Sequence, residues 1–161
     1  MAHERGGTPA TTSLSRAGIP FTVHSYTHDP AAAEFGPEAA EKLQVDPERI
    51  FKTLVVAVDD RVLVVGVVPV AARLDAKKIA QAAGGKHARL ADPHIAERKT
   101  GYILGGISPV GQKTKLQTFV EETAQVFDTI FVSGGRRGMD IEIRPEDLLA
   151  ATDGVFADIA R

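Results

Sequence analysis

Residues 50–60, IFKTLVVAVDD, place a lysine inside an otherwise apolar run. If this run is a strand, side chains two positions apart share a face, and Lys52 points the same way as Leu54 and Val56. Lysine is rarely buried without a partner, because an unpaired buried charge is costly. One interpretation is structural: the stem of the lysine lies on apolar surface while its amine reaches water. The other is a role in a functional pocket, and a second motif favours it.

That second motif is residues 101–114, GYILGGISPVGQKT, which contain four glycines, a proline and Ser108. Glycines let the backbone approach a ligand closely and turn amide N–H groups toward it. The spacing nearly matches a phosphate loop, but Gln112 separates Gly111 from Lys113, whereas the lysine of that motif directly follows its glycine. A nucleotide triphosphatase is therefore disfavoured. A rigid pocket wall fits the segment better than a plain structural turn.

A third motif is VSGGRRGMDIEI, residues 132–143, which reads as two strands joined by a glycine-rich turn. In such a hairpin, Ser133 and Asp140 lie near each other on neighbouring strands. Arg136 and Arg137 at the tip could contact phosphates. The alternative is an exposed turn whose arginines are solvated.

Metal and protein-nucleophile chemistry find little support in the sequence. The chain has no cysteine, so any thiol chemistry has to come from the substrate. His24 and His28 are four residues apart, but on a strand this separates them by roughly 13 Å. His87 and His94 fall in unrelated segments, and we expect no metal site. The letters of a Ser-His-Asp triad are present without a nucleophile elbow of the G-x-S-x-G type.

Caps and hydrophobic periodicity predict the elements that position these motifs. We expect interleaved helices and strands around a mixed sheet, in one α/β or α+β domain. The two apolar strands of residues 50–70 are expected to be central and covered on both faces. The expected helices are 8–18, one beginning at Pro37, 75–84, 92–101 and 144–152. The expected strands are 21–28, two within 50–70, the start of 102–113, two within 128–143, and a final strand or tail at 154–161.

Composition limits the class of protein. With 161 residues, 43% of them hydrophobic and 25% charged, the chain is typical of one soluble globular domain. No run approaches the roughly 18–20 apolar residues that span a bilayer, and residues 1–12 lack a signal-peptide core, so we expect a cytoplasmic protein without membrane contact. The net charge is −2, but residues 73–144 carry 12 basic and 8 acidic side chains. This basic middle could hold a phosphate backbone; a mixed surface is the alternative.

The blocks FKTLVVAV, GYILGGISPVGQK and VSGGRRGMDIEI, in this order and at this spacing, resemble the signature of the YbaK/EbsC family. Its members are free-standing deacylases for cysteine mischarged on proline tRNA, related to the editing domain of bacterial prolyl-tRNA synthetases. The resemblance extends from about Thr8 to Arg161, and leaves residues 1–7 as an added tail that we expect to be disordered. It implies a single domain over residues 8–161, with a mixed sheet curled toward a barrel and surrounding helices.

The resemblance also implies roles for individual residues. Lys52 matches a family lysine in the pocket that receives the aminoacylated 3′ end, where it holds the phosphate of the terminal adenosine or positions the ester. With Lys52, Gly106 and Ser108 are candidate catalytic residues. The implied substrate-binding residues are Tyr26, Phe35, Thr53, Gly105, Pro109, Ser133 and Asp140. No metal and no cofactor are implied.

The mechanism implied by the resemblance uses the substrate's own side chain. The thiol of the esterified cysteine, with a pKa of about 8.5 when free, attacks the aminoacyl ester. Correct positioning of an intramolecular nucleophile is worth up to roughly 7–11 kcal/mol. Backbone amides of the glycine loop would stabilise the oxyanion by about 2.7–4 kcal/mol per donor. Alanine and proline lack the thiol, and serine is a poorer nucleophile, so selectivity would come from chemistry.

Two other functions stay open at this point. One is a deacylase for another small amino acid, which activates a water molecule. The other is a non-catalytic module that binds an acceptor stem or a synthetase, which the basic middle of the chain favours. The expected partner is the 3′ CCA end of an aminoacyl-tRNA, with prolyl-tRNA synthetase as a second partner. The clustered glycines and Lys52 disfavour a purely structural domain.

Overall fold

The computed structural model of the chain describes residues 7–30 and 35–161, except for the side chains of Phe35 and Gly36. The tail expected at residues 1–7 lies outside this range, apart from Gly7. The helices are α1 (Pro9–Ala17), α2 (Phe35–Leu43), α3 (Ala76–Ala82), α4 (Pro93–Thr100) and α5 (Pro145–Thr152), with 3-10 turns at Pro47–Arg49 and Glu122–Val126. The strands are β1 (Thr22–Ser25), β2 (Phe51–Val58), β3 (Val62–Pro69), β4 (Ala88–Leu90), β5 (Gln117–Glu121), β6 (Ile130–Arg136), β7 (Met139–Ile143) and β8 (Val155–Ala157).

The strands are divided between two sheets. The smaller sheet is antiparallel in the order β1-β7-β6, and the larger has the order β4-β2-β3-β5-β8 with β3, β5 and β8 parallel. A parallel bridge between Ile50 and Phe131 joins the sheets just before β2 begins. The expected single α/β domain with a mixed sheet and surrounding helices is confirmed. Over the described residues the sheets do not close into a barrel.

The hairpin of β2 and β3 lies at the centre of the larger sheet, as its apolar faces predict. Val64, Val65, Val67 and Val68 are fully buried, and alternate residues of β3 belong to two different core clusters. Burying a valine side chain contributes about 1.5–3 kcal/mol, so this strand is a major source of stability. The start of β2 is thereby fixed where the two sheets meet.

Local capping signals in the sequence correctly located three helices. The α1 helix begins with a reciprocal cap, in which Thr8 Oγ1 accepts from the amide of Thr11 and Thr11 Oγ1 accepts from the amide of Thr8. Asp75 and Asp92 are the N-caps of α3 and α4, where each carboxylate accepts hydrogen bonds from free backbone amides. None of the helices in the described ranges is long and apolar enough to cross a membrane.

The strand expected at the start of residues 102–113 is wrong. That segment is an irregular loop in which the Ile103 side chain is 71% exposed. Its backbone bonds to side chains instead of a neighbouring strand: the amide of Leu104 donates to Glu97 Oε2 at 2.9 Å, and its carbonyl accepts from Arg137. The strands β4 and β5 were not expected, and β1 is shorter than the alternation of residues 21–28 predicted.

Candidate functional site

A cavity of about 390 Å³ opens where the two sheets meet. The start of β2 forms one wall, the β6–β7 hairpin a second, the loop after α4 a third, and α2 contributes at the edge. This volume is within the usual range of small-molecule sites. The lining includes six of the residues predicted from the sequence: Tyr26, Lys52, Thr53, Gly105, Ser133 and Asp140.

Lys52 is half-buried in the wall formed by β2 and lines the same cavity as the loop residues Gly105 and Ile107. Its amine makes no hydrogen bond or ion pair with any residue in the described part of the chain. By contrast, Lys78 on α3 binds both the Asp158 carboxylate and the Ala160 carbonyl, each at 2.9 Å. The positive charge of Lys52 is therefore available to an anion that enters the cavity.

Asp140 supplies an acidic group from the wall formed by the β6–β7 hairpin. It lies on β7, directly paired with Ser133 of β6 and His24 of β1, and only 7% of it is exposed. No described residue donates a hydrogen bond or a positive charge to its carboxylate. Burial raises the pKa of Asp140 to about 7. Burial, followed by the nearby Asp140 charge, raises the pKa of Tyr26 to about 12, so the Tyr26 hydroxyl stays neutral.

Two hydroxyl groups complete the polar lining. Thr53 Oγ1 is buried and has no hydrogen-bond partner among the described residues. Because an unsatisfied buried hydroxyl is costly, Thr53 is suited to bind a ligand group. Ser133 Oγ accepts from the amide of Gly135 at 3.2 Å and can still donate.

These groups can bind and orient a substrate, but no described residue of the cavity wall is an activated nucleophile. Neither histidine near β1 contacts a wall hydroxyl: His24 bonds to Glu142 at 2.9 Å, and His28 bonds to Glu38 at 2.7 Å. In residues 7–30 and 35–161, no three acidic or histidine side chains cluster as metal ligands do. A reaction in this cavity therefore depends on a nucleophile that the substrate or water brings.

Comparison with known families identifies the family to which the chain belongs. The aminoacyl-tRNA editing domain matches residues 29–151, which include both strands of the β6–β7 hairpin and the start of β2. The chain belongs to the aminoacyl-tRNA editing domain family. The resemblance to the YbaK/EbsC proteins noted from the three motifs is therefore confirmed. Members of this family are hydrolases that serve translation fidelity.

Individual relatives agree with the family assignment. EbsC of Enterococcus faecalis, provisionally named a Cys-tRNA(Pro)/Cys-tRNA(Cys) deacylase, is 39% identical over 94% of this chain and 92% of its own. A crystal structure provisionally described as a trans-editing enzyme for prolyl-tRNA synthetase has a TM-score of 0.83, at 27% identity over 95% of each chain. The hypothetical protein APE2540 has a TM-score of 0.85 and 26% identity, covering 96% of this chain and all of its own.

The remaining predicted site residues lie behind the cavity wall or outside the described side chains. Gly106, Ser108 and Pro109 are buried but do not line the cavity. Ser108 is fully buried, and its Oγ accepts from the amide of Val110 at 3.2 Å. These three residues therefore shape the loop that carries Gly105 and Ile107. The side chain of Phe35 lies outside the described residues.

Gly106 is in close contact with the β6–β7 hairpin. A Cβ atom at this position would lie 2.8 Å from Arg136 Cα and 3.0 Å from its carbonyl carbon, too close for any side chain. The amide of Gly106 already donates to the Ile103 carbonyl at 2.9 Å. The amides of Gly105 and Ile107, which both line the cavity, donate to no described residue. In this cavity, the free loop amides among the described residues are therefore those on either side of Gly106.

Sequence reasoning missed the apolar part of the pocket. Leu104, Ile107 and Val70 line the cavity, although no motif singled them out. Of the two hairpin arginines, Arg136 lines the cavity, while Arg137 donates to the Leu104 carbonyl at 2.9 Å and thereby holds the loop. The glycines around Leu104 and Ile107 were the signal in the sequence that could have indicated this apolar lining. Glycines have no side chains, so a pocket wall rich in glycine needs neighbouring apolar residues to fill it.

Proposed function

We propose that this protein hydrolyses cysteine from mischarged tRNA, with Cys-tRNA(Pro) as its main substrate. The observation that carries the proposal is the cavity itself, which combines an unpaired lysine amine and free loop amides without an activated protein nucleophile. Such a site positions a substrate that brings its own attacking group. The provisional name of the 39% identical relative EbsC supports cysteine as the amino acid.

Lys52 would bind the phosphate of the terminal adenosine and so hold the 3′ CCA end in the cavity. An ammonium–phosphate hydrogen bond is among the stronger polar contacts. Here it would form near the start of β2, where Lys52 is half-buried. The apolar residues Ile50, Phe51 and Leu54 line the same part of the cavity and exclude water from the contact. The aminoacyl ester then lies beside the amides of Gly105 and Ile107.

The reaction we propose proceeds in two steps. The cysteine thiol loses its proton, and the sulfur attacks the ester carbonyl carbon while the amides of Gly105 and Ile107 donate to the developing oxyanion. The bond from carbon to the ribose oxygen breaks, the ribose oxygen takes a proton, and the amino acid leaves as a four-membered thiolactone. Water then opens the thiolactone and gives free cysteine.

A second candidate function follows from Asp140. A buried carboxyl group with a pKa of about 7 is suited to accept a proton from water near neutral pH. In that case the protein would remove a small amino acid other than cysteine, with water as the nucleophile. The Asp140→Asn variant would abolish this route, whereas the thiol route does not use Asp140 as a base.

The proposed partners are the 3′ end of an aminoacyl-tRNA and prolyl-tRNA synthetase. The solved structure described as a trans-editing enzyme for that synthetase supports the second partner, since it superposes over 95% of each chain. A net charge of −2 gives the chain little general attraction for RNA, which a synthetase that already holds the tRNA would compensate.

The test is release of the amino acid from Cys-tRNA(Pro) and Ala-tRNA(Pro) by the purified protein. We expect rapid release of cysteine, little release of alanine, and loss of both with Lys52→Ala. The exposed Lys77 of α3 does not line the cavity, and Lys77→Ala is the matched control with unchanged rates. Equal release of both amino acids would contradict the thiol route, and release of neither would overturn the enzymatic function.

A further inference from the structure

Three charged side chains line the cavity, and no described residue forms an ion pair with any of them. Lys52 is on β2 of the larger sheet, and Asp140 is on β7 of the smaller one. Arg136 lies on β6 of the smaller sheet. The salt-bridge partners of the described chain lie elsewhere, for example Arg49 with Glu142 and Arg89 with Asp60. Burial is the cause of the raised pKa of Asp140, and Lys52 does not offset it.

A buried carboxylate without a partner is costly, and proteins keep such a group where a ligand supplies the missing cation. The Thr53 hydroxyl in the same cavity also lacks a partner. The walls therefore present two cationic groups, a carboxyl group and a hydroxyl that lack partners among the described residues. This arrangement fits a ligand that carries a negative and a positive charge on separate groups.

An aminoacylated 3′ end has that pattern. The phosphate of its terminal adenosine is negative, and the α-amino group of the esterified amino acid is positive near neutral pH, since such groups have a pKa of about 7.7–8.0. If Lys52 binds the phosphate, the ammonium group cannot lie beside the same lysine, because like charges repel. The wall formed by the β6–β7 hairpin offers Asp140, the only carboxyl group among the described residues that line the cavity.

We propose that Asp140 binds the α-ammonium group of the aminoacyl ester and so restricts the enzyme to esters with a free α-amine. This inference rests on the proposed function and adds a rule of substrate selection to it. Together, Lys52 and Asp140 fix the direction in which the aminoacyl end lies across the cavity. Peptidyl-tRNA and N-acylated aminoacyl-tRNA have no α-ammonium group, so the site rejects them.

The experiment compares Cys-tRNA(Pro) with the same tRNA carrying 3-mercaptopropionate, which keeps the thiol and lacks the amine. Each enzymatic rate is divided by the uncatalysed rate of the same ester, because the ammonium group itself activates the ester. We expect wild-type kcat/KM to favour the cysteinyl ester by about tenfold to a hundredfold, the range for a hydrogen bond to a charged group. In Asp140→Asn the preference falls to near one, chiefly through loss of activity on the cysteinyl ester.

The ratio is measured within each variant, so partial unfolding of Asp140→Asn lowers both rates alike and cannot mimic the effect. Glu142→Gln is the matched control, since Glu142 lies two residues along β7 and does not line the cavity; its ratio stays at the wild-type value. Equal normalised rates of the wild type on the two esters would overturn this inference alone. An equal loss on both esters in Asp140→Asn would also overturn it. Failure of the wild type to release cysteine at all would overturn the proposed function together with it.

Discussion

Lys52, which we propose to bind the substrate, differs in its contacts from a lysine that stabilises the fold. Its amine has no partner within the described chain, whereas Lys78 makes two hydrogen bonds that join α3 to the chain end. Removing Lys52 therefore breaks no hydrogen bond or ion pair with the described residues. The sequence revealed this residue because a lysine interrupts an apolar run, and the structure shows that the interruption faces a cavity.

We expect Lys52→Ala to lower kcat/KM on Cys-tRNA(Pro) by about a hundredfold, the upper range for loss of a charge-assisted hydrogen bond. Its melting temperature should stay within about 2 °C of wild type, because no internal partner is lost. Lys78→Ala should show the reverse, with a lower melting temperature and wild-type turnover. If Lys52→Ala melts much earlier than wild type, the lysine has a structural role that its geometry does not indicate.

The raised pKa of Asp140 makes the free energy of unfolding decrease as pH rises, the opposite of the usual effect of a carboxyl group. An unfolded aspartate has a pKa of about 3.9, and in the native state it is about 7, so the native state binds more protons between these values. Stability therefore falls as pH rises from about 4 to 7. Tyr26, Lys52 and Arg136 line the same cavity, and the raised pKa of Tyr26 keeps its hydroxyl neutral across this range.

Asp140→Asn should be about as stable as wild type near pH 4 and more stable at pH 8, by up to about 4 kcal/mol. Urea unfolding at both pH values measures the difference. Glu142→Gln should change stability with pH in the opposite direction. The hydrogen bond from Thr129 is the largest influence on Glu142 and lowers its pKa. A glutamate of that kind stabilises the native state above its unfolded pKa and loses this effect as pH falls. A difference for Asp140→Asn that does not change with pH would contradict the burial argument.

The loop after α4 is positioned by contacts that the sequence could not reveal. Its amides and carbonyls bond to Glu97 of α4 and Arg137 of the hairpin, which are 7 and 33 residues away from Leu104. The apolar residues 102–104 therefore led to the prediction of a strand, although no neighbouring strand is there to pair with them. The helix caps, by contrast, lie within three residues of the groups they bind, and the sequence located them correctly.

Gly106→Ala should disturb this loop, because its Cβ would lie 2.8 Å from the Arg136 backbone. We expect a loss of about 1–3 kcal/mol in the free energy of unfolding and at least a tenfold loss in kcat/KM, as the amides of Gly105 and Ile107 move. Gly18→Ala is the control: no atom lies within 4 Å of its Cβ, but its φ of +71° is strained for alanine. That variant should lose stability and keep its activity. Full activity in Gly106→Ala would show that the loop adjusts freely.

Glu121 fastens the end of the chain to the larger sheet. It is 3% exposed, its Oε1 accepts from the amides of Ile159 and Ala160 at 3.0 Å, and its Oε2 accepts from Thr123 at 2.8 Å. The residues around Glu121 did not predict this, because two of the three donors, Ile159 and Ala160, follow β8 and are 38 and 39 residues away in the chain. The short strands β4 and β5 were not predicted for a similar reason, because their pairing partners are far away in the chain.

Glu121→Ala should destabilise the protein by about 3 kcal/mol or more, since it leaves three backbone amides without an acceptor. The measurement is the midpoint of urea unfolding at pH 7. The exposed neighbour Glu122 is a matched control, and Glu122→Ala should unfold at the wild-type midpoint. Equal midpoints for the two variants would mean that the chain end contributes little to the fold.

The cavity exists because two sheets meet at the start of β2, where the Ile50–Phe131 bridge joins them. The fold class was predictable from strands and helices that alternate along the chain, and the three motifs identified the family. The division into two sheets was not predictable, since it depends on pairings such as β3 with β5 that span about fifty residues. The apolar wall of the pocket follows from that division and was missed with it.

The thiol route has one requirement that no other route shares, a free sulfhydryl on the esterified amino acid. The measurement is the release rate of cysteine and of S-methylcysteine from the same proline tRNA, with the wild-type protein and with Asp140→Asn. We expect cysteine release in the wild type to be at least a hundredfold faster than S-methylcysteine release. Comparable rates for the two amino acids, together with loss of both in Asp140→Asn, would contradict thiol attack and establish water as the nucleophile.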